Sequence, residues 1–276
     1  MSRLEDTPFE ALFLDGSKGR LFGLYFSAIG KTRGQVLCIP PFTEESNRCR
    51  VMLGMGARAL AHQGYATLVL DLSGTGNSDG EFGDAGWSDW LDDISTGIDW
   101  LSNKGSELTL WGTRLAALLV VDAARTQPER ISRLMFWQPV ANGKLMFTQY
   151  LRLRVANSLE TGGKQETTAT LRALLAEGEA LEVGGYCISS QLAADLDRAA
   201  MPTVLDLPDI QVDWLEAVDE GKSELSIASM KIINGWLEQG IRVNLFPFKG
   251  PQFWQLHERF LAPDLVEKTL QVFANE

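Results

Sequence analysis

Histidine is scarce in this chain: two in 276 residues, His62 and His257. Chemistry that needs a histidine base therefore has only two candidates to draw on. Cysteine is scarce too. Cys38, Cys49 and Cys187 are odd in number and lack metal-ligand spacing. That excludes a disulfide framework and fits buried free thiols in a reducing cytoplasm. Basic residues are the minority, 25 against 36 acidic, for a net charge of −11. Nucleic acid and anionic membranes attract basic surfaces, so neither is an expected partner. The opening residues, Met-Ser-Arg-Leu-Glu-Asp-Thr-Pro, lack a basic segment followed by an apolar run, which predicts no signal peptide. No apolar stretch reaches membrane-spanning length. A cytoplasmic protein with no membrane span, no metal and no cofactor is expected.

What is present suits one large α/β domain with an inserted lid. Hydrophobic residues make up 45% and charged residues 22%, enough for a sizeable core. Residues 9–14 and 21–28 flank Asp15-Gly16-Ser17-Lys18-Gly19 and read as a hairpin. Strands follow at 34–41, 65–72, 108–111 and 131–140. Helical periodicity lies at 48–63, 87–103 and 114–126. Strands and helices alternating at short spacing build a doubly wound, mostly parallel sheet. The alternation stops at 142–200, which reads as a cap inserted between core segments 1–141 and 201–276. The cap contains helical stretches at 144–158 and 170–178 and a polar loop at 160–170. The rhythm resumes with a strand at 211–218, a helix at 225–239, a strand at 241–248 and a helix at 263–274.

One segment carries the fold class. Residues 108–125 form a buried strand, a turn at Gly112 and an apolar helix rich in alanine. This is the strand–elbow–helix of an α/β-hydrolase, whose pattern there is G-x-S-x-G. Aligned on Gly112, the nucleophile slot is Arg114 and the final glycine is Ala116. An arginine cannot attack a carbonyl as a serine does. A literal G-x-S-x-G occurs at Gly76-Asn77-Ser78-Asp79-Gly80, but its strand ends earlier and the next helix starts only near Trp87. Stacked Gly, Asn and Asp read there as a loop.

The other catalytic parts depart as well. An acid belongs just past the strand at 211–218, where Asp219 and Glu220 stand, with Glu224 beyond. Such acids also cap helices. The base belongs just past the strand at 241–248, where Gln252 or a neighbour fills the place. His257 lies a few residues further on, a weak base candidate or a structural histidine. His62 sits in the last turn of its helix. The oxyanion loop should follow residue 39, and this chain has Pro40-Pro41-Phe42-Thr43-Glu44-Glu45-Ser46-Asn47. Proline has no N–H to donate, and two carboxylates oppose an oxyanion.

A guanidinium at a helix N-terminus is electrostatically disfavoured and needs compensation. Glu44 or Glu45 can pair with Arg114 as a structural plug. Alternatively, an anionic ligand can be held by the guanidinium and the helix start together. Trp111, Trp137, Phe253 and Trp254 fall near the carboxyl edge of the sheet, where open α/β folds bind ligands. Buried core positions are the competing reading for each. Gln138, Asn142, Gln149 and Arg152 follow the sixth strand and are placed to point down from the cap. The candidate ligand-binding set is Phe42, Glu44, Glu45, Asn47, Arg114, Trp137, Gln138, Gln252 and Trp254.

Four motifs together carry a family resemblance: residues 40–47, Asp71-Leu72-Ser73-Gly74-Thr75-Gly76-Asn77-Ser78, Trp111-Gly112-Thr113-Arg114-Leu115, and Gly250-Pro251-Gln252-Phe253-Trp254-Gln255. They resemble the exosortase A system-associated hydrolase 2 family over nearly the whole chain. Pro-Pro-Phe-x-Glu-Glu and Trp-Gly-x-Arg-Leu are the specific elements. The resemblance implies an α/β-hydrolase fold in a bacterial protein associated with exopolysaccharide and PEP-CTERM protein-sorting genes. The chain departs from the family at Ala116, where glycine is usual, and at Gln252. Three functions follow as alternatives: a binding protein without serine-triad catalysis that takes a small polar or acylated ligand, an atypical hydrolase or acyl transferase using His257 or Glu45, and a non-enzymatic scaffold.

Overall fold

Apolar runs buried on both sides set the centre of the sheet. In the computed structural model, which describes residues 7–104, 107–160, 166–207, 209–255 and 260–274, β3 (Gly34–Ile39), β5 (Leu108–Thr113) and β6 (Arg133–Trp137) are buried at every residue. Such strands need helices on both faces. The hairpin strands β1 (Phe9–Gly16) and β2 (Gly19–Phe26) lie at one edge, β1 mostly exposed and β2 burying Leu21, Gly23 and Phe26. With β4 (Tyr65–Leu70), β9 (Gln211–Ala217) and β10 (Arg242–Phe248) they complete an eight-stranded sheet in the order β1-β2-β4-β3-β5-β6-β9-β10. Pairing is antiparallel from β1 through β2 to β4 and parallel from there on.

Helices α1 (Glu44–His62), α2 (Trp87–Ser102) and α3 (Ala116–Thr126) follow β3, β4 and the fifth strand. The helix expected at 48–63 begins at Glu44, because Glu44 and Glu45 occupy its first turn, where acids complement the helix dipole. Alanines 116, 117, 123 and 124 let α3 lie close to the sheet. Gly112 permits the closest approach: a Cβ there would meet Ala116 O, Ala117 Cα and Val120 Cγ2 at 2.7 Å each. The strained residue expected near Gly112 is instead Arg114, with φ 57, and Gly112 itself lies within β5.

The strand expected over 131–140 stops at Trp137, because Gln138 turns to φ 45. The chain then leaves the sheet. Between 142 and 200 it forms α4 (Gly143–Glu160), α5 (Thr168–Ala176), a small hairpin of β7 (Leu181–Val183) and β8 (Tyr186–Ile188), and α6 (Ser190–Arg198). Residues 161–165 of the expected polar loop lie outside the described residues. An isolated bridge between Asn142 and Ala200 closes the base of this excursion. Helices α7 (Ile227–Glu238) and α8 (Pro263–Ala274) complete the two layers.

Candidate ligand site at the elbow

The site grows out of three strand ends. Non-glycine residues rarely take positive φ. Three that do stand at the carboxyl ends of adjacent strands: Thr43 at φ 50 after β3, Arg114 at φ 57 after β5, and Gln138 at φ 45 after β6. Backbone strain held by surrounding structure gathers at functional sites. Here it is tied down by hydrogen bonds. Arg114 N–H donates to Trp137 O at 3.0 Å, and Gln138 N–H donates to Leu215 O at 2.7 Å. The Gln138 side-chain oxygen accepts from Ala217 N–H at 2.7 Å.

Arg114 thus stands at the apex between β5 and α3. Its Nε donates to Glu45 Oε1 and Oε2 at 3.2 and 3.1 Å, and Nη2 donates to Oε1 at 3.0 Å. Nη1 donates to Gln138 O at 3.3 Å. The guanidinium carbon lies 5.1 Å from the ring centroid of Trp254, a cation–π contact. The pair is largely enclosed, with side-chain exposures of 13% for Arg114 and 22% for Glu45. The carboxylate answers the charge conflict at the start of α3. Cys49 follows one turn after Glu45 on α1, fully buried. Burial pushes its thiol up, with the nearby Glu45 adding to the effect, so it stays protonated.

Above the pair lies a cleft of about 300 Å³. Phe42, Thr43, Glu44, Glu45 and Arg48 form one side, and Arg114 with Trp254 and Gln255 the floor. Met146, Gln149, Tyr150 and Leu153 of α4 close it from above. Burial raises the Tyr150 phenol, which donates to Val183 O at 2.6 Å and joins α4 to the hairpin.

The structure gathers only part of the residue set expected from sequence. Phe42, Glu44, Glu45, Arg114 and Trp254 meet at the cleft. Gln138 contributes its main-chain oxygen rather than a lining side chain. Trp137 does not reach the cleft. It is fully buried, packs on Trp111 at 4.4 Å between centroids, and donates to Thr269 Oγ1 at 2.9 Å on α8. Its side chain alternates to the face of the sheet opposite α3. Asn47 is exposed and donates to the Tyr186 hydroxyl at 3.3 Å. Gln252 is exposed too, and Gln255 stands at the cleft instead. Asp219 and Glu220 are exposed past β9. Asp219 pairs with Lys222 at 2.8 Å, which lowers its pKa. His257 lies outside the described residues. His62 ends α1 within 3.0 Å of Thr7 Oγ1. Sequence reasoning missed Arg48, Met146, Tyr150 and Leu153. The last three recur on α4 at helical spacing, a signal that was present.

Fold and elbow together define an α/β-hydrolase-fold protein. The family model described as serine aminopeptidase, S33, matches residues 30–173, more than half of the chain, and the chain belongs to that family. It is 30% identical over 149 residues to mouse mitochondrial palmitoyl-protein thioesterase ABHD10, a match covering 52% of this chain and 46% of that protein. It is 31% identical over 102 residues to an uncharacterized 31.7 kDa Escherichia coli protein of the traX-finO intergenic region, covering 36% and 35%. The chain thus spans less than half the length of these curated relatives. Among solved structures, Est1E from Butyrivibrio proteoclasticus bound to ferulic acid superposes with a TM-score of 0.68 at 17% identity, over 96% of this chain and 98% of that one. Mouse alpha/beta hydrolase domain-containing protein 10 gives 0.61 at 17%, over 95% and 96%. At such identity these structures speak for the fold. Among the described residues no helix is long and apolar enough to cross a membrane, and no cluster of three or more metal-ligating side chains is present.

Proposed function

We propose that this chain is a ligand-binding member of the α/β-hydrolase fold that works without serine-triad catalysis. A small polar or acylated ligand occupies the cleft over Arg114. The observation that carries this reading is the nucleophile position itself. Arg114 fills it, and Glu45, the Gln138 carbonyl and the Trp254 ring hold it from three sides. A guanidinium placed so firmly presents donors and cannot act as an acyl acceptor. Glu44 and Glu45, in the first turn of α1 just past the oxyanion loop, bring hydrogen-bond acceptors to the cleft rather than oxyanion donors.

The same reading places the chain in the exosortase A system-associated hydrolase 2 group, in a bacterial cytoplasm. The Pro-Pro-Phe-x-Glu-Glu and Trp-Gly-x-Arg-Leu elements support it, because they supply Phe42, Glu45 and Arg114 to one cleft. Free thiols at Cys38 and Cys49, buried, and at Cys187, exposed where a buried thiol was expected, fit a reducing compartment. Residues 142–200 serve as the cap, with α4 forming the roof of the site.

A second reading, an atypical hydrolase, is favoured by the similarity to a thioesterase. Two measurements separate the readings. Thermal stabilisation by short carboxylates, acyl amides or neutral sugars, with no turnover of simple esters and thioesters, supports the binding protein. Turnover that is lost on changing Glu45 or His257 overturns it in favour of the hydrolase. Neither stabilisation nor turnover overturns it in favour of a scaffold.

A further inference from the structure

A second, smaller pocket adjoins the cleft. Its volume is about 20 Å³, and it is lined by Pro40, Pro41, Leu72, Phe82, Trp90, Leu115, Ala116 and Leu119 together with Phe42, Thr43 and Thr75. The lining is apolar apart from the two threonines, and Thr75 Oγ1 is already spent on Leu72 O at 2.8 Å. The space is an apolar pocket partly open to solvent, with room for about one water molecule. Phe42 and Thr43 are the residues that line both this cavity and the outer cleft. The Phe42 ring is therefore the partition between them. It is held edge-on by Phe82, Trp90 and Tyr150, with centroid separations of 5.7, 6.3 and 5.4 Å.

Resting on the binding reading above, we propose that the ligand has two parts: a head that accepts hydrogen bonds from Arg114 and an unbranched apolar tail directed at Phe42, whose ring sets how long a tail the site accepts. The head is defined by the donors left over. Of the five guanidinium N–H groups, Nε and one on Nη2 go to Glu45 and one on Nη1 goes to Gln138 O. Among the described residues, one N–H on each Nη is left for a carboxylate or an amide carbonyl. The tail is defined by the walls: Met146, Tyr150, Leu153 and Trp254 line the outer cleft together with Arg114 and Phe42. On its other side Phe42 lines the smaller apolar pocket. Phe42 is thus a specificity-determining residue, and the adjoining apolar pocket is reserve length that the ring withholds.

The test is a chain-length series on the intact protein. Saturated straight-chain carboxylates from butanoate to dodecanoate, and the matching primary amides, are titrated by calorimetry. In the wild type, affinity should rise about fourfold per added methylene while the tail fills the outer cleft, and then stop rising. In Phe42→Ala the rise should continue for roughly two further carbons or more, because the ring's volume joins the two spaces. Phe42→Leu should show a smaller extension and covers the case in which the alanine variant does not fold. Adding Leu119→Phe to either variant should return the limit to shorter chains. Carboxylates binding better than amides identify an anionic head, and equal binding a neutral one; each is consistent with the proposal. A wild-type length limit that is unchanged in both Phe42 variants overturns the tail assignment and leaves the binding reading standing. No binding by any chain of either series overturns both.

Discussion

Arg114 and Glu45 lie 69 residues apart in the chain, yet the guanidinium Nε sits 3.1 Å from Glu45 Oε2 and Nη2 sits 3.0 Å from Oε1. This contact joins the start of α3 to the first turn of α1. It also answers a conflict that the sequence poses, a cation at a helix N-terminus. Removing the carboxylate strands the guanidinium in a largely enclosed place.

Glu45→Gln is therefore expected to destabilise the fold by about 1–3 kcal/mol. That is below the cost of breaking a fully buried pair, because both partners keep some contact with solvent. The melting temperature should drop by several degrees. The double variant Glu45→Gln with Arg114→Gln should recover part of the loss, since no charge is then left unpaired. Calorimetric unfolding checks both. An unchanged melting temperature in Glu45→Gln would mean that water or ligand, not Glu45, satisfies Arg114.

Restoring a hydroxyl at the elbow should not restore esterase chemistry. Arg114→Ser places a serine at a positive-φ apex, the geometry of a nucleophile elbow. The expected acid positions, Asp219 and Glu220, are exposed, and Asp219 is committed to Lys222. Glu45 would face the new hydroxyl without a cationic partner. The expected outcome is no turnover of p-nitrophenyl acetate above the uncatalysed rate. Measurable turnover that disappears when His257 is also changed would identify that histidine as a base.

The elbow was legible in sequence because three signals coincide there: a buried strand, a small residue where the helix must approach, and an alanine-rich helix. The partner of Arg114 was legible only as Glu44 or Glu45. Choosing between them needed the start of α1, and the apolar periodicity of that helix begins after its polar first turn. Once the helix begins at Glu44, one residue fixes which carboxylate faces the elbow. The β7–β8 hairpin was not legible at all. Two three-residue strands around Gly184-Gly185 are too short to show a period. Trp137 was misplaced for a different reason. Position near a strand end does not say which face of the sheet a side chain takes, and pairing with Thr269 settles it. The cleft's upper wall comes from α4, where Met146, Tyr150 and Leu153 line the cleft while Phe147 and Leu151 pack into the core, and sequence periodicity does not separate those two.

Asp93 gives the fold a pH dependence. It is fully buried on α2. Its Oδ2 accepts from Ser73 N–H at 2.7 Å, while Oδ1 and the Ser73 hydroxyl have no partner among the described residues. Burial raises its pKa, with Asp89 and Asp92 adding to the effect. The folded state therefore holds this proton to higher pH than the unfolded chain does. Between the ordinary aspartate value of about 4 and the raised folded value, stability falls as pH rises. Asp93→Asn should remove that fall. Its amide nitrogen can donate to Ser73 Oγ while its oxygen keeps the Ser73 N–H. The variant should match the wild type near pH 4 and be the more stable of the two at neutral pH. Urea unfolding across the range checks this. A less stable variant at neutral pH would mean that the carboxylate has a charged partner.

Ser78 lies in a letter-perfect G-x-S-x-G and is expected to do no chemistry. Its Oγ donates to Asp71 O at 2.6 Å and accepts from Phe22 N–H at 2.8 Å, so the hydroxyl is committed on both sides. The surrounding glycines serve the loop: at Gly76, φ 56, a Cβ would sit only 2.0 Å from Asp71 Oδ2. No helix begins there, so no helix N-terminus is available to polarise an oxyanion. Ser78 acts instead as a staple between β2 and the loop after β4. Ser78→Ala strands one donor and one acceptor in a half-buried place and should cost about 1–2 kcal/mol in unfolding free energy. A fluorophosphonate probe should leave the wild-type protein unlabelled at this residue, because a serine without a base or an oxyanion site is not activated. Labelling of the wild type that vanishes in Ser78→Ala, with the variant still folded by circular dichroism, would make Ser78 a nucleophile and overturn this reading.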